Sequence, residues 1–228
     1  MREILKVESL NSFYGRSQIT FDVDLAVNPG EVAVLVGRNG VGKTTTLKGI
    51  MGYVNKKKSR ITFKDRDITN LPPYTIAKSG LTYVPDTDGV FHNLTVEDNF
   101  KVSERSGSFT WEYVFELFPR IENLLKRKGA HLSGGERKMA GISKGLLMNP
   151  DMLIIDEPSE GLAPFLVKDI AKAINKLEEE ISLMVADQNL GFVLSIADKI
   201  YIMDSGRIRL SGSRDEIKRE DIEKYVAL

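Results

Sequence analysis

The chain has 228 residues, 42% of them hydrophobic, which suits one α/β domain with a full core and makes a multidomain reading unnecessary. Its 32 basic and 32 acidic side chains cancel, so there is no global positive field of the kind that accompanies nucleic-acid binding. Cysteine is absent, which removes disulfide and thiolate–metal chemistry and is compatible with a reducing compartment.

The opening stretch MREILKVESL alternates charged with apolar residues and has no apolar signal core. Nowhere does the chain approach the ~20 apolar residues that a membrane-spanning helix needs. A soluble chain that stays where it is made is expected, one that a partner could hold at a membrane. Residues 3–10 and 19–27 read as strands, followed by a turn at Pro29-Gly30. Residues 32–36 are almost continuously apolar, the pattern of a strand covered on both faces, and run straight into VGRNGVGKTTT, residues 36–46.

In that stretch Gly37, Gly42, Lys43 and Thr44 fit G-x-x-x-x-G-K-[ST]. Bare backbone N–H groups in such a loop wrap a phosphate chain, while the lysine and hydroxyl address its far end and its magnesium. A helix is predicted from about Lys43. The one basic cluster, NKKKSR at 55–60, reads as a solvated turn. From about 86 to 149 the strand pattern lapses. Thr95 and Asp98 have capping-box spacing, WEYVFELFPRIENLLKRK (111–128) has helical spacing, and another helix follows Gly135. These signals predict a helical insertion, residues 86–149, in an α/β core made of 1–85 and 150–228.

Within that insertion LSGGERK, residues 132–138, places Ser133, Gly134 and Gly135 at a helix start. Exposed N–H groups and the positive end of the helix dipole make this a second anion-accepting site. A further apolar strand, 151–156, carries Asp156 at its C-terminal end, where open parallel sheets place their ligand chemistry. Pro164 then opens an amphipathic helix with Leu166, Ile170, Ile174 and Leu177 on one face. Residues 181–186 and 199–203 supply more strands, separated by a helical NLGFVLSIA.

In this order and spacing the stretches resemble the ATP-binding-cassette family along essentially the whole chain. LSGGE is similar to the family signature, and LIIDEP (153–158) to Walker B followed by the catalytic glutamate. The fold implied is a P-loop NTPase core with N-terminal antiparallel β elements and an inserted helical subdomain. The cofactors implied are ATP and Mg2+. By position the resemblance assigns the nucleotide to Tyr14, as the adenine-stacking aromatic, and to Gly37, Asn39, Gly40, Gly42, Lys43, Thr44 and Thr45 of Walker A. It assigns the metal to Thr44 and Asp156, the general base to Glu157, and the switch position to Gln188. It also implies a shared site: two ATPase subunits face each other head to tail, and Ser133, Gly134 and Gly135 of one complete the ATP held by the other. Transmembrane permease subunits are the further partners implied, with the chain peripheral on the cytoplasmic face of the membrane.

Three positions depart from the usual pattern. Asp86 stands at the Q-loop glutamine, Gln188 at the switch histidine and Ala163 at the D-loop aspartate. An ionised Asp86 is a pure acceptor that could hold magnesium or its water, so the phosphate neighbourhood is expected to be more negative than usual. Gln188 cannot become cationic, and neither His92 nor His131 takes its place, so activity nearly flat between about pH 6 and 8 is expected. DEPSEGLAP, ADQN and FPRI together resemble the ATP-binding subunits of branched-chain amino acid importers, in which such departures are at home. Another cargo, such as urea or amides, stays open, as does a soluble cassette acting on DNA or ribosomes. The latter usually brings a coiled coil, paired cassettes or a basic tail, none of which this sequence has.

Overall fold

The computed structural model describes residues 3–87, 89–178 and 180–226. The chain opens with β1 (Leu5–Tyr14), β2 (Ser17–Gln18) and β3 (Val23–Val27) of an antiparallel sheet. It then crosses to a second sheet as β4 (Val32–Val36), which leads through the glycine loop into α1 (Lys43–Ile50). It returns as β5 (Asn55–Lys57), β6 (Arg60–Phe63) and β7 (Arg66–Asp67), and α2 (Pro73–Lys78) leads to β8 (Leu81–Val84). Between β8 and β9 (Met152–Asp156) the regular elements are helical: α3 (Val96–Lys101), α4 (Trp111–Leu117), α5 (Pro119–Glu122), a 3-10 turn at Gly129–His131, and α6 (Gly134–Leu146). The remainder alternates as α7 (Pro164–Leu177), β10 (Ser182–Asp187), α8 (Leu190–Ile196), β11 (Lys199–Asp204), β12 (Arg207–Ser213) and α9 (Arg219–Val226).

The second sheet has the order β12-β11-β4-β10-β9-β8, parallel except for β12 at its edge. β4 and β10 lie in its middle and are buried throughout, as a strand under helices on both faces must be. Alternation along these strands divides the core. Val32, Val34 and Val36 face the same way as Leu183 and Val185, toward the helical insertion, α7 and α8. Ala33, Leu35, Met184 and Ala186 face α1 and the antiparallel sheet, where Leu5, Val7, Leu10, Leu47 and Ile50 complete a second cluster.

Register sets the site. Val36 lies opposite Asp187, and Ala186 opposite Asp156, so the glycine loop, the Asp156 carboxylate and the segment after β10 emerge together at the C-terminal edge of the parallel strands.

Two local readings change. NKKKSR is not simply a turn: Asn55–Lys57 pairs with β1, Lys56 donates to the Gly49 carbonyl at 2.9 Å, and Lys57 lies over the Phe13 ring. The helix predicted over 111–128 breaks at Phe118, because Pro119 brings no N–H to continue α4 and pushes the residue before it out of helical geometry.

Candidate active site

The glycine loop bars a side chain at Gly37 by close contact and favours glycine at Gly40 and Gly42 by backbone conformation. A Cβ on Gly37 would come within 2.4 Å of the Met203 carbonyl oxygen, and Gly40 and Gly42 hold φ of +83° and +113°. Gly42 caps α1 in the left-handed region, and its carbonyl accepts both the Thr46 N–H and the Thr46 hydroxyl. Lys43 is only 3% exposed. Its ammonium donates to the Gly37 and Arg38 carbonyls at 3.0 and 3.1 Å and lies 3.2 Å from Glu157 Oε1. Thr45 is buried in α1, while Asn39 and Gly40 are exposed on the loop.

The Thr44 hydroxyl donates to Asp156 Oδ1 at 3.1 Å, and the Tyr83 hydroxyl donates to Asp156 Oδ2 at 2.9 Å. Burial pushes the Asp156 carboxyl up from the usual range, against the pull of these two bonds. Burial and the adjacent Asp156 carboxylate push the Tyr83 phenol up as well, so it stays a donor. Hard oxygen donors of this kind fit magnesium, which keeps several waters and phosphate oxygens beside a few protein ligands.

Glu157 adopts φ +47°, uncommon for a residue with a side chain, and its N–H is tied to the Ala186 carbonyl at 2.8 Å. Burial, then a hydrogen bond to Glu160, pushes its carboxyl up to about 7, while Lys43 opposes the rise. Glu160 moves the other way, stabilised as the acceptor of that bond and by Asn39, whose amide donates to it at 3.2 Å. A carboxyl pushed up to about 7 at this position runs against the expectation of a flat pH profile.

Asp86 does not stand as an uncompensated negative charge. The Lys138 ammonium donates to its Oδ1 at 2.6 Å and also to the backbone carbonyl of Glu157. Carboxylate oxygens of Asp86, Glu157 and Glu160 lie within 4.8 Å of one another, with Lys43 and Lys138 at the two ends of the cluster. Sequence reading passed over Lys138, Glu160, Tyr83 and Asp187. Buried Asp187 accepts the Ser159 N–H and hydroxyl at 2.9 and 2.8 Å and braces the turn after Glu157. Its adjacency to Gln188 was a visible signal; the opposite charges of Asp86 and Lys138 were another, usable only once the fold had brought residues 86 and 138 together.

The remaining assigned residues lie outside this cluster. Gln188, half-buried, follows directly after β10. Tyr14, 47% exposed at the end of β1, lines an open groove of about 460 Å³ with Lys48, Tyr53 and Tyr83. Ser133 bonds within its own helix start, in a reciprocal capping box with Glu136. Gly134 is exposed beside it, and Gly135 is buried where a Cβ would meet Leu166 Cδ1 at 2.3 Å. The structure therefore gathers Lys43, Thr44, Asp86, Asp156 and Glu157, while Ser133 faces outward.

The family model described as ABC transporter matches residues 20–160. A probable branched-chain amino acid transport ATP-binding protein, LivF, from Archaeoglobus fulgidus is 34% identical, covering 97% of each chain. A lipopolysaccharide export system ATP-binding protein, LptB, from Acidithiobacillus ferridurans is 33% identical over 100% of this chain and 98% of the relative. Among solved structures, the ADP conformation of an ATP-binding cassette of an ABC transporter superposes with a TM-score of 0.82 at 28% identity, covering 100% of this chain and 96% of that one.

Proposed function

Since this chain belongs to the ABC transporter family and is an ATPase of that family, we propose that it powers an importer of branched-chain or related amino acids. The observation that carries the chemistry is Glu157 held 3.2 Å from the Lys43 ammonium, beside the Thr44–Asp156 pair. In this reading Lys43 neutralises β- and γ-phosphate charge, and Thr44 and Asp156 hold magnesium. Asp86 has one oxygen on Lys138 and can offer the other to the ion or its water. Glu157 takes the proton of the attacking water, Gln188 donates to the phosphate side, and Tyr14 stacks on the base. Bound magnesium would supply the charge that draws the γ-phosphate oxygens into place.

Gly37, Asn39, Gly40, Gly42 and Thr45 bind the same nucleotide, and Ser133, Gly134 and Gly135 serve the ATP of a second ATPase subunit, identical or related. Residues 86–149 act as one helical unit between the core and transmembrane permease subunits, with the chain peripheral on the inner face of the cell membrane. No helix among the described residues is long and apolar enough to cross a membrane. The likeness to LivF, together with DEPSEGLAP and ADQN, supports import of amino acids; urea or amides would need only different membrane and binding subunits. The nearly equal likeness to LptB supports a rival reading, an export ATPase.

Vesicles reconstituted with the co-purifying membrane subunits test this. ATP-dependent uptake of labelled leucine is expected, with uptake and hydrolysis both reduced on the order of 10²-fold in Glu157→Gln while ATP binding persists. Extraction of a lipid substrate without leucine uptake would assign the chain to export. A Glu157→Gln protein hydrolysing at the normal rate would remove Glu157 from its role.

A further inference from the structure

We propose that Lys138 is a positioning residue for the catalytic carboxylate, and that through Asp86 it makes the placement of Glu157 depend on the segment that follows β8. The proposal rests on the reading of Glu157 as the base, and goes beyond it by naming what holds that base and what can release it.

Three parts of the fold meet at one ammonium. Lys138 belongs to the second turn of α6, with its side chain 13% exposed. It donates to Asp86 Oδ1 at 2.6 Å and to the backbone carbonyl of Glu157. Glu157 itself sits at φ +47°, a conformation that persists only when its surroundings over-determine it. Its N–H is fixed from one side by the Ala186 carbonyl on β10, and its carbonyl from the other by Lys138. With both ends of the residue tied, the backbone from which its side chain reaches Lys43 is anchored between β10 and α6. Any shift of α6 relative to the sheet draws on the Glu157 carbonyl directly.

Asp86 makes this hold conditional. Lys138 is largely desolvated, and a buried ammonium needs a partner charge to remain in place. Asp86, on the connection leaving β8, provides it. Moving that connection would take the counter-charge from Lys138 and loosen its grip on the Glu157 carbonyl. Glu160 feels the same ammonium, since Lys138 helps keep the Glu160 carboxyl below the usual range. Lys138 therefore serves the geometry of the base without needing to touch the nucleotide.

The test is steady-state hydrolysis by Lys138→Met, Lys138→Arg, Asp86→Asn and the Lys138→Met/Asp86→Asn double variant at saturating magnesium, with ATP binding measured separately by equilibrium titration. An ångström of misplacement at a reacting centre can cost ~10²-fold in rate. Lys138→Met is accordingly expected to lower kcat about 10- to 100-fold with KM and the ATP dissociation constant changed by less than about threefold. Lys138→Arg, which keeps a cationic donor, should recover most of that loss. Asp86→Asn should lower kcat to a smaller extent, and its effect should largely vanish when Lys138 is already Met. A purely structural role would instead lower the melting temperature and leave the kcat of the folded fraction intact, overturning the proposal. Equal kcat in wild type and Asp86→Asn, or strictly multiplicative effects in the double variant, would overturn it too, and the Asp86→Asn result decides the matter should Lys138→Met fail to fold. Glu157→Gln is measured in parallel. If it is inactive while Lys138→Met turns over normally, the positioning role alone falls; if Glu157→Gln hydrolyses normally, the underlying assignment falls.

Discussion

At the scale of single residues, the site is governed by charges held in a place poor in water. Glu157 is the sharpest case, because burial and Glu160 raise its carboxyl to about 7. In the proposed role Glu157 accepts a proton from water, and below that pH it already carries one. Since kcat/KM reports the free enzyme, it is expected to fall as pH drops through about 7 and to level off above it. The hydrogen bond from Glu157 to Glu160 raises the Glu157 value, so Glu160→Gln should move the inflection to lower pH. A profile equally flat in both proteins would separate this proton from turnover. Lys43, Thr44, Asp156 and Glu157 were legible as a set because their spacing is local, within two short stretches. Lys138 and Asp86 were not legible as a pair, because 52 residues separate them and only the packing of α6 against the end of β8 joins them.

At the scale of elements, those whose burial is complete or cleanly periodic declare themselves. β4 is buried at every position and was readable as an apolar run, and α7 spans the residues that its 3.6-residue pattern marks out. Elements held by backbone pairing at an edge do not: β12 is exposed except at the partly buried Ile208 and Gly212, with no apolar stripe, and α2 buries only Ile76. β5 escaped because Lys56 hides its stem and satisfies its charge on a carbonyl, so a basic run behaves as a strand. In the insertion, Glu97 on α3 binds Lys101 one turn on and Lys126 beyond α5. These two bonds depress its carboxyl to about 2. A depressed carboxyl contributes stability that is present above its unfolded value of about 4.5 and lost as pH falls through the folded value. Glu97→Gln should therefore flatten the dependence of melting temperature on pH between about 4.5 and 2. An unchanged acid dependence would show that these exposed pairs are too well solvated to matter.

At the scale of the whole molecule, two anion-accepting ends belong to one chain but point to different uses. The glycine loop has the shape that wraps one side of a phosphate, while the Ser133 helix start, closed by its capping box with Glu136, leaves Gly134 exposed beside it. In the proposed reading a second ATPase subunit, identical or related, supplies the ligand for that helix start, so that ATP joins the subunits and its cleavage releases them. Sedimentation of the Glu157→Gln protein, saturated with ATP and magnesium, tests this most directly. The account predicts an ATP-dependent dimer that disappears when ADP replaces ATP; single subunits at saturating ATP, even with the membrane subunits present, would contradict it.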